Sequence, residues 1–232
     1  MKILITGGTS ALGAELTQLL ASQGHQLIIT YCRNSELARD LCSRYDSVQK
    51  RPVDFTLPAS VQALVQEIPA LDIDVLVNNA YLGQPLGTHF HRTSIDDFEQ
   101  AFDHNVKPVI LISQACIAMM RRRKAGLLVT IGSLATTATP PGYGVYAATK
   151  AYLQQLARSW HNEYAHLGIR SVAVLPDFMP TPLHGEMLEH LAQSELERKG
   201  RLLEPKQVAQ EVADIINGVA PFNQQHIITV KN

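Results

Sequence analysis

The chain has 232 residues, 46% of them hydrophobic, and a formal net charge of −1. That length and apolar content fit one α/β domain with a sizeable core, and the near-neutral charge gives no electrostatic case for nucleic acid. No run of about 18 apolar residues appears, which argues against a membrane span.

Met1 is followed at once by strand-like K-I-L-I-T, leaving no room for a signal peptide. Cys32, Cys42 and Cys116 are odd in number and match no metal spacing, so reduced thiols in a cytoplasmic protein are expected. Among the nine histidines, His89 and His91 are two apart and His161 and His166 five apart, and no H-E-x-x-H occurs. A metal site is not expected.

Residues 2–6 read as a buried strand and 11–23 as a helix that Gly24 ends. Between them runs T-G-G-T-S-A-L-G, a turn in which glycine lets backbone approach a pyrophosphate seated on the helix N-terminus. Gly7, Thr9, Ser10, Ala11, Leu12 and Gly13 are therefore candidate cofactor contacts. A second strand, Q-L-I-I-T-Y, ends at Tyr31 and leads into C-R-N-S. Dinucleotide sites that prefer NAD carry an acid at this edge for the ribose hydroxyls. Here Arg33 stands instead, either as a contact for a 2′-phosphate or as a solvated loop arginine. A third strand ends near Asp54, a residue that could also cap the helix after Pro58. The fourth strand is I-D-V-L-V-N-N-A.

Ser94, with Asp97 three residues on, is a plausible helix start, and Pro108 predicts a break near Asn105. The next helix runs from Pro108 to about Lys124, apolar at Val109, Ile112, Cys116 and Met119, and ends in R-R-R-K. Cations in a last turn complement the helix dipole, so this run is read as a helix end and not as a nucleic-acid patch. The apolar run L-L-V-T-I-G ends at Ser133, which puts that hydroxyl at the carboxyl edge of a parallel sheet, where such sheets hold ligands.

Tyr146 and Lys150 are four apart in Y-A-A-T-K-A-Y-L, a helical stretch, and so share one face. At about 4 Å and an effective dielectric near 20, an ammonium would attract a phenolate by ~4 kcal/mol, or roughly three pKa units. That would bring the phenol into general acid–base range. I-R-S-V-A-V-L-P is a sixth strand, 183–203 a small amphipathic helical element with Met187, Leu188 and Leu191 inward, E-P-K-Q-V-A-Q-E-V-A-D-I-I a helix, and H-I-I-T-V the closing strand. The persistent alternation predicts a doubly wound parallel α/β sheet of about seven strands with helices on both faces.

T-G-x-x-x-A-x-G, N-N-A, Asn105, Ser133 and Y-x-x-x-K, in this order, resemble the short-chain dehydrogenase/reductase family over nearly the whole chain. The resemblance implies a single Rossmann-type NAD(P)-binding domain over residues 1–232. It further implies a catalytic set of Asn105, Ser133, Tyr146 and Lys150, with Tyr146 as general acid/base and Lys150 also on the nicotinamide ribose. Asn105 would help hold a water linking the lysine to solvent. Asp54 and Phe55 would cradle the adenine, Asn79 and Ala80 lie along the cofactor, and Pro176 and Thr181 sit beside the nicotinamide. The implied reaction moves a hydride between the nicotinamide and a small-molecule carbonyl or alcohol, and Arg33 favours NADP(H) over NAD(H). A homodimer or homotetramer is implied, with the helix after Pro108 and the Tyr146 helix pairing across a two-fold axis. A pteridine reductase-like enzyme and a non-catalytic nucleotide-binding regulator are the alternatives.

Three departures from the family pattern bear on the site. Ala11 stands where glycine is commoner, Tyr81 replaces the glycine after N-N-A, and Asp177 follows Pro176 in place of glycine. Tyr81 must either point away from the nucleotide or shape the pocket. Substrate identity is expected to lie in the 183–203 segment and in Tyr81, Leu134 and Asp177.

Overall fold

The computed structural model describes residues 1–85, 88–219 and 227–231, with the side chains of His184, Glu186, Met187 and Leu188 excepted. The chain alternates β1 (Lys2–Ile5), α1 (Ala11–Ser22), β2 (Gln26–Tyr31), α2 (Ser35–Arg44), β3 (Val48–Pro52), α3 (Pro58–Leu71) and β4 (Val75–Asn78). It continues with α4 (Ile95–Asn105), α5 (Lys107–Arg123), β5 (Gly126–Ile131), α6 (Ala135–Ala138), α7 (Gly144–Tyr164) and β6 (Ile169–Pro176). A 3₁₀ segment (Pro182–Met187), α8 (Leu188–Lys199), α9 (Pro205–Ile216) and β7 (Ile227–Val230) complete it.

All seven strands form one parallel sheet in the order β3-β2-β1-β4-β5-β6-β7. Side chains alternate across a strand, and the two resulting faces carry separate cores. Ile3, Ile5, Val75, Val77, Val129 and Val174 pack with Leu16 and Leu20 of α1 and Val212 and Ile216 of α9. Leu4, Leu76, Leu128 and Ala173 face the other way, onto Leu64 and Ile68 of α3, Ile112 and Met120 of α5, and Leu153 and Trp160 of α7. A parallel sheet covered on both faces needs such near-continuous apolar strands.

Local chemistry sets the element ends that frame the site. Ser10 caps α1 by accepting from the Gly13 amide at 3.1 Å, and Asn34 caps α2 by accepting from the Leu37 amide at 3.0 Å. Ser94 and Asp97 form the reciprocal capping box expected of that pair. The long helical stretch breaks at Val106, directly after Asn105, where Pro108 lies in the first turn of α5. The R-R-R-K run closes α5, and Arg123 is drawn inward to Asp72 at 2.7 Å and Asp74 at 3.1 Å. Asp54 caps no helix: Leu57 occupies the N-cap position of α3, and the Asp54 carboxylate accepts from the Thr56 amide and hydroxyl, each at 2.8 Å. Of the inward face expected for residues 183–203, Leu191 lines the central cleft, and the Met187 and Leu188 side chains lie outside the described residues. Among the described residues no helix is long and apolar enough to cross a membrane, and no cluster of three potential ligands is placed to hold a metal.

Candidate active site

β1 and β4 are neighbours although two strands separate them in sequence, so the connections leaving their carboxyl ends diverge and open a crevice. A cavity of about 690 Å³ occupies that crevice. It runs from Arg33 and Asn34 beyond β2, past the Gly7–Leu12 turn, to Ser133, Tyr146 and Lys150, and on to Phe178 and Leu191 under α8.

The turn has the shape a pyrophosphate requires. Gly7 has φ of 66°, and a side chain there would meet Ala80 Cα at 2.9 Å. Gly13 has no room for a Cβ against the Gly7 carbonyl, which lets α1 start close beneath the turn. The Ala11 and Leu12 amides, in the first turn of α1, have no place in the helical ladder and sit at the positive end of the dipole. Asn79 secures the turn from β4, its Nδ2 donating to the carbonyls of Thr6 at 2.9 Å and Gly7 at 3.0 Å and to Ser10 Oγ at 3.2 Å. Ala11 lines the cavity without displacing this turn.

At the other end the catalytic candidates converge. Ser133 lies two residues past β5, and its Oγ accepts from the Ala135 amide at 3.1 Å. Tyr146 and Lys150 lie on the buried face of α7 and line the same cavity. Lys150 Nζ donates to the Ile131 carbonyl at 2.9 Å and stands 5.9 Å from the Tyr146 ring centroid. Burial lowers the Lys150 pKa to about 8. Burial raises the Tyr146 pKa, the Ser133 hydroxyl draws it back down, and Tyr143 raises it further.

The expected drop of roughly three pKa units at Tyr146 is therefore not found in the ligand-free site. Four-residue spacing puts the two side chains on one face, but the ammonium aims at the Ile131 carbonyl, over the phenol ring instead of at its oxygen. Desolvation is the largest cause of both shifts, raising Tyr146 and lowering Lys150.

Tyr81 shapes the pocket. Its ring meets the Tyr146 ring edge-on at 5.1 Å and 74°, and Lys150 Nζ lies 4.9 Å from its centroid. Asn105, buried in the α4–α5 break, grips the next residue on both sides. Its Oδ1 accepts from the Leu82 amide at 2.6 Å, and its Nδ2 donates to the Leu82 carbonyl at 3.1 Å. The Asn105 side chain therefore holds the strand exit and does not line the cavity.

Val53 and Phe55 line the adenine end, while the Asp54 carboxylate is turned to Thr56. Pro176 and Thr181 line the cleft as expected, and Pro176 ties the β6 exit to the serine loop by accepting from the Leu134 amide at 2.9 Å. Asp177 reaches across to Lys199 at the end of α8, which also pairs with Glu195 at 2.9 Å. Burial would raise the Asp177 carboxyl, but Lys199 and the Phe178 amide hold it below its ordinary value. Tyr143, Phe178, Met179 and Arg198 also line the cavity and were not singled out in the sequence. Tyr143 had a signal, since it precedes Tyr146 by three and so lies near its face of the helix. Phe178 and Met179 lie on the loop after β6 and Arg198 near the end of α8, with no periodic mark.

Comparison with known proteins agrees with this geometry. The family model for short-chain dehydrogenases matches residues 1–192. The NADP-dependent 3-hydroxy acid dehydrogenase YdfG of Escherichia coli O157:H7 is 31% identical over 179 residues, covering 76% of this chain and 71% of its own. A very-long-chain 3-oxoacyl-CoA reductase-like protein of Arabidopsis thaliana is 28% identical over 191 residues, 79% of this chain, and the match spans only 61% of the plant protein. Among solved structures, a short chain dehydrogenase/reductase family protein superposes with a TM-score of 0.82 at 29% identity, covering 99% of this chain and 95% of that one. The closed form of serine dehydrogenase complexed with NADP+ gives 0.84 at 25% identity, covering 99% and 94%. This chain belongs to the short-chain dehydrogenase/reductase family.

Proposed function

We propose that the chain is an oxidoreductase that uses NADP(H) in preference to NAD(H) to interconvert a small-molecule carbonyl and its alcohol. One observation carries this reading: the glycine turn and the Ser133–Tyr146–Lys150 group open on the same cavity, which continues past the turn to Arg33. Reduced nicotinamide, when bound, supplies the hydride. Tyr146 gives its phenolic proton to the carbonyl oxygen, and its raised pKa keeps that proton in place at neutral pH for the reductive direction. Ser133 hydrogen-bonds the same oxygen and stabilises the charge that develops on it. Lys150, mostly charged at pH 7 with a pKa of about 8, holds the ribose hydroxyls and favours the phenolate once the proton has left. Asn105 acts at one remove, fixing Leu82 and with it the wall of the site.

At the far end, Arg33 is exposed, lines the cavity and lies just before the N-terminus of α2. A 2′-phosphate there would meet a guanidinium and a helix N-terminus together. NADP in the names of the bacterial dehydrogenase and the serine dehydrogenase supports this choice. The protein is further proposed to assemble as a homodimer or homotetramer through α5 and α7. NADPH oxidation with a panel of aldehydes, ketones and quinones tests the activity. Tyr146→Phe should lower turnover at least ~10²-fold while NADPH still binds. Wild-type turnover in that variant, on a substrate whose chemistry limits the rate, would remove Tyr146 as the acid.

A further inference from the structure

Lys150 is a buried cation with three donors, and the Ile131 carbonyl takes one of them. The next feature it meets is the Tyr81 ring, whose centroid is 4.9 Å from Nζ, within range of a cation–π contact. The same ring meets Tyr146 edge-on at 5.1 Å. Its place is set from both flanks: the Ala80 amide donates to Thr6 Oγ1 at 3.1 Å, and Leu82 is clamped by Asn105. We propose that Tyr81 is a positioning residue for the Lys150–Tyr146 pair, its ring face holding Lys150 in the charged form and its T-shaped contact fixing the Tyr146 ring.

The charged lysine needs that support. Burial is the sole cause that lowers its pKa, and no carboxylate offsets it. The titratable side chains that face it are Tyr81, from the β4 exit, and Tyr146, from its own helix; β5 contributes the Ile131 carbonyl. Tyr143 reaches the group only through Tyr146, at 6.1 Å between ring centroids. An aromatic face attracts an ammonium without needing a lone pair, and the attraction grows as water is excluded. Because the ring stabilises the protonated form, it raises the lysine pKa above the value burial alone would set. Removing the ring while keeping the site filled should therefore lower that pKa.

The test is an NMR titration of the Lys150 Cε signal in the ligand-free protein, with NADPH affinity measured over the same pH range. The affinity arm rests on the cofactor reading above; the NMR arm does not. Wild type should titrate above the value of about 8 that burial alone sets. Tyr81→Phe keeps the ring and should keep the midpoint. Tyr81→Leu should move it down by about half to one and a half pH units, with NADPH affinity declining at correspondingly lower pH. If Tyr81→Leu does not fold, 3,4,5-trifluorophenylalanine at position 81 preserves shape while weakening the ring face, and its midpoint should fall below that of Tyr81→Phe. A midpoint in the ring-deleted or fluorinated protein equal to that of Tyr81→Phe overturns the proposal. So does a Tyr81→Phe shift as large as that of Tyr81→Leu. Normal NMR titrations in a protein that binds no NADPH would instead remove the cofactor reading and leave the role of Tyr81 standing.

Discussion

Arg33 and Glu36 share a surface depression at the start of α2, with Asn34 and Ser35 between them. An anion there would be drawn by the guanidinium and the helix N-terminus and opposed by the carboxylate. Asn34 Oδ1 accepts from the Leu37 amide and only its Nδ2 can donate, so the charged guanidinium of Arg33 is the strongest of these contacts for a 2′-phosphate. A charged hydrogen bond contributes about 1.5–3 kcal/mol, equivalent to roughly 10- to 150-fold in affinity. With Glu36 close by, the lower end is expected. Arg33→Ala should cut kcat/KM with NADPH by about 10-fold and leave the NADH value nearly unchanged. A wild type that uses the two equally, or a preference that survives the substitution, would refute the assignment. At this scale the sequence brought Ser133, Tyr146 and Lys150 together, which line one cavity, and was silent about their state. Spacing brought Tyr146 and Lys150 to one face, yet the direction of their pKa shifts depends on burial, which spacing does not encode. Tyr81 illustrates the same limit: an isolated aromatic after a strand carries no sign of which way its ring turns, and the backbone beside it, at Leu82, is held by Asn105, 23 residues beyond Leu82.

Among the elements, α8 stands out because charge ties it to the sheet edge. Lys199 bridges Asp177 and Glu195, Arg198 pairs with Glu195 at 2.8 Å, and Leu191 reaches into the cavity. The Asp177 side chain is 20% exposed and that of Lys199 18%, so solvent screens this pair less than the surface pairs. The folded-state pKa of Asp177 is depressed, and so is that of Glu195, where burial opposes and Arg198 and Lys199 prevail. Their contribution is therefore present above the ordinary carboxylate range and lost as pH falls through the depressed values. At neutral pH the latch is intact. Asp177→Asn should speed amide exchange in α8 by roughly 5- to 10-fold, at the lower end for a charged hydrogen bond because Glu195 still holds Lys199. Exchange in α8 unchanged from wild type would mean that packing alone seats the helix. The sequence predicted a helical element here, along with the sheet, the break after Asn105 and the bounds of β2, because periodicity and caps are local. Asp177 and Lys199 are separated by 22 residues, and nothing local announces their pairing.

Across the whole molecule, both sheet faces are covered, and among the apolar side chains left in solvent are three on α4, α5 and α7. Phe102 of α4, Leu111 of α5 and Tyr152 of α7 are 38%, 37% and 46% exposed, and Phe102 meets Tyr152 edge-on at 5.7 Å. Clustered side chains of this kind mark association surfaces more often than isolated ones do. Light scattering at micromolar concentration should give at least a dimer, and Leu111→Glu with Tyr152→Glu should give a monomer with an unchanged far-UV spectrum. A monomeric wild type would count against this surface.

The packing of α1 on α9 has a different kind of consequence, in the order in which the molecule can be made. Leu16 and Leu20 of α1 rest on Val212 and Ile216 of α9, and Gln23, at the end of α1, accepts from Asn217 Nδ2 at 3.0 Å across a separation of 194 residues. During synthesis α1 leaves the ribosome early and has no such neighbour until α9 follows. At ~5–20 residues per second that interval lasts roughly 10–40 s. For that time the apolar stripe of α1 lacks its native cover, and one of the two cores can close only once α9 has followed.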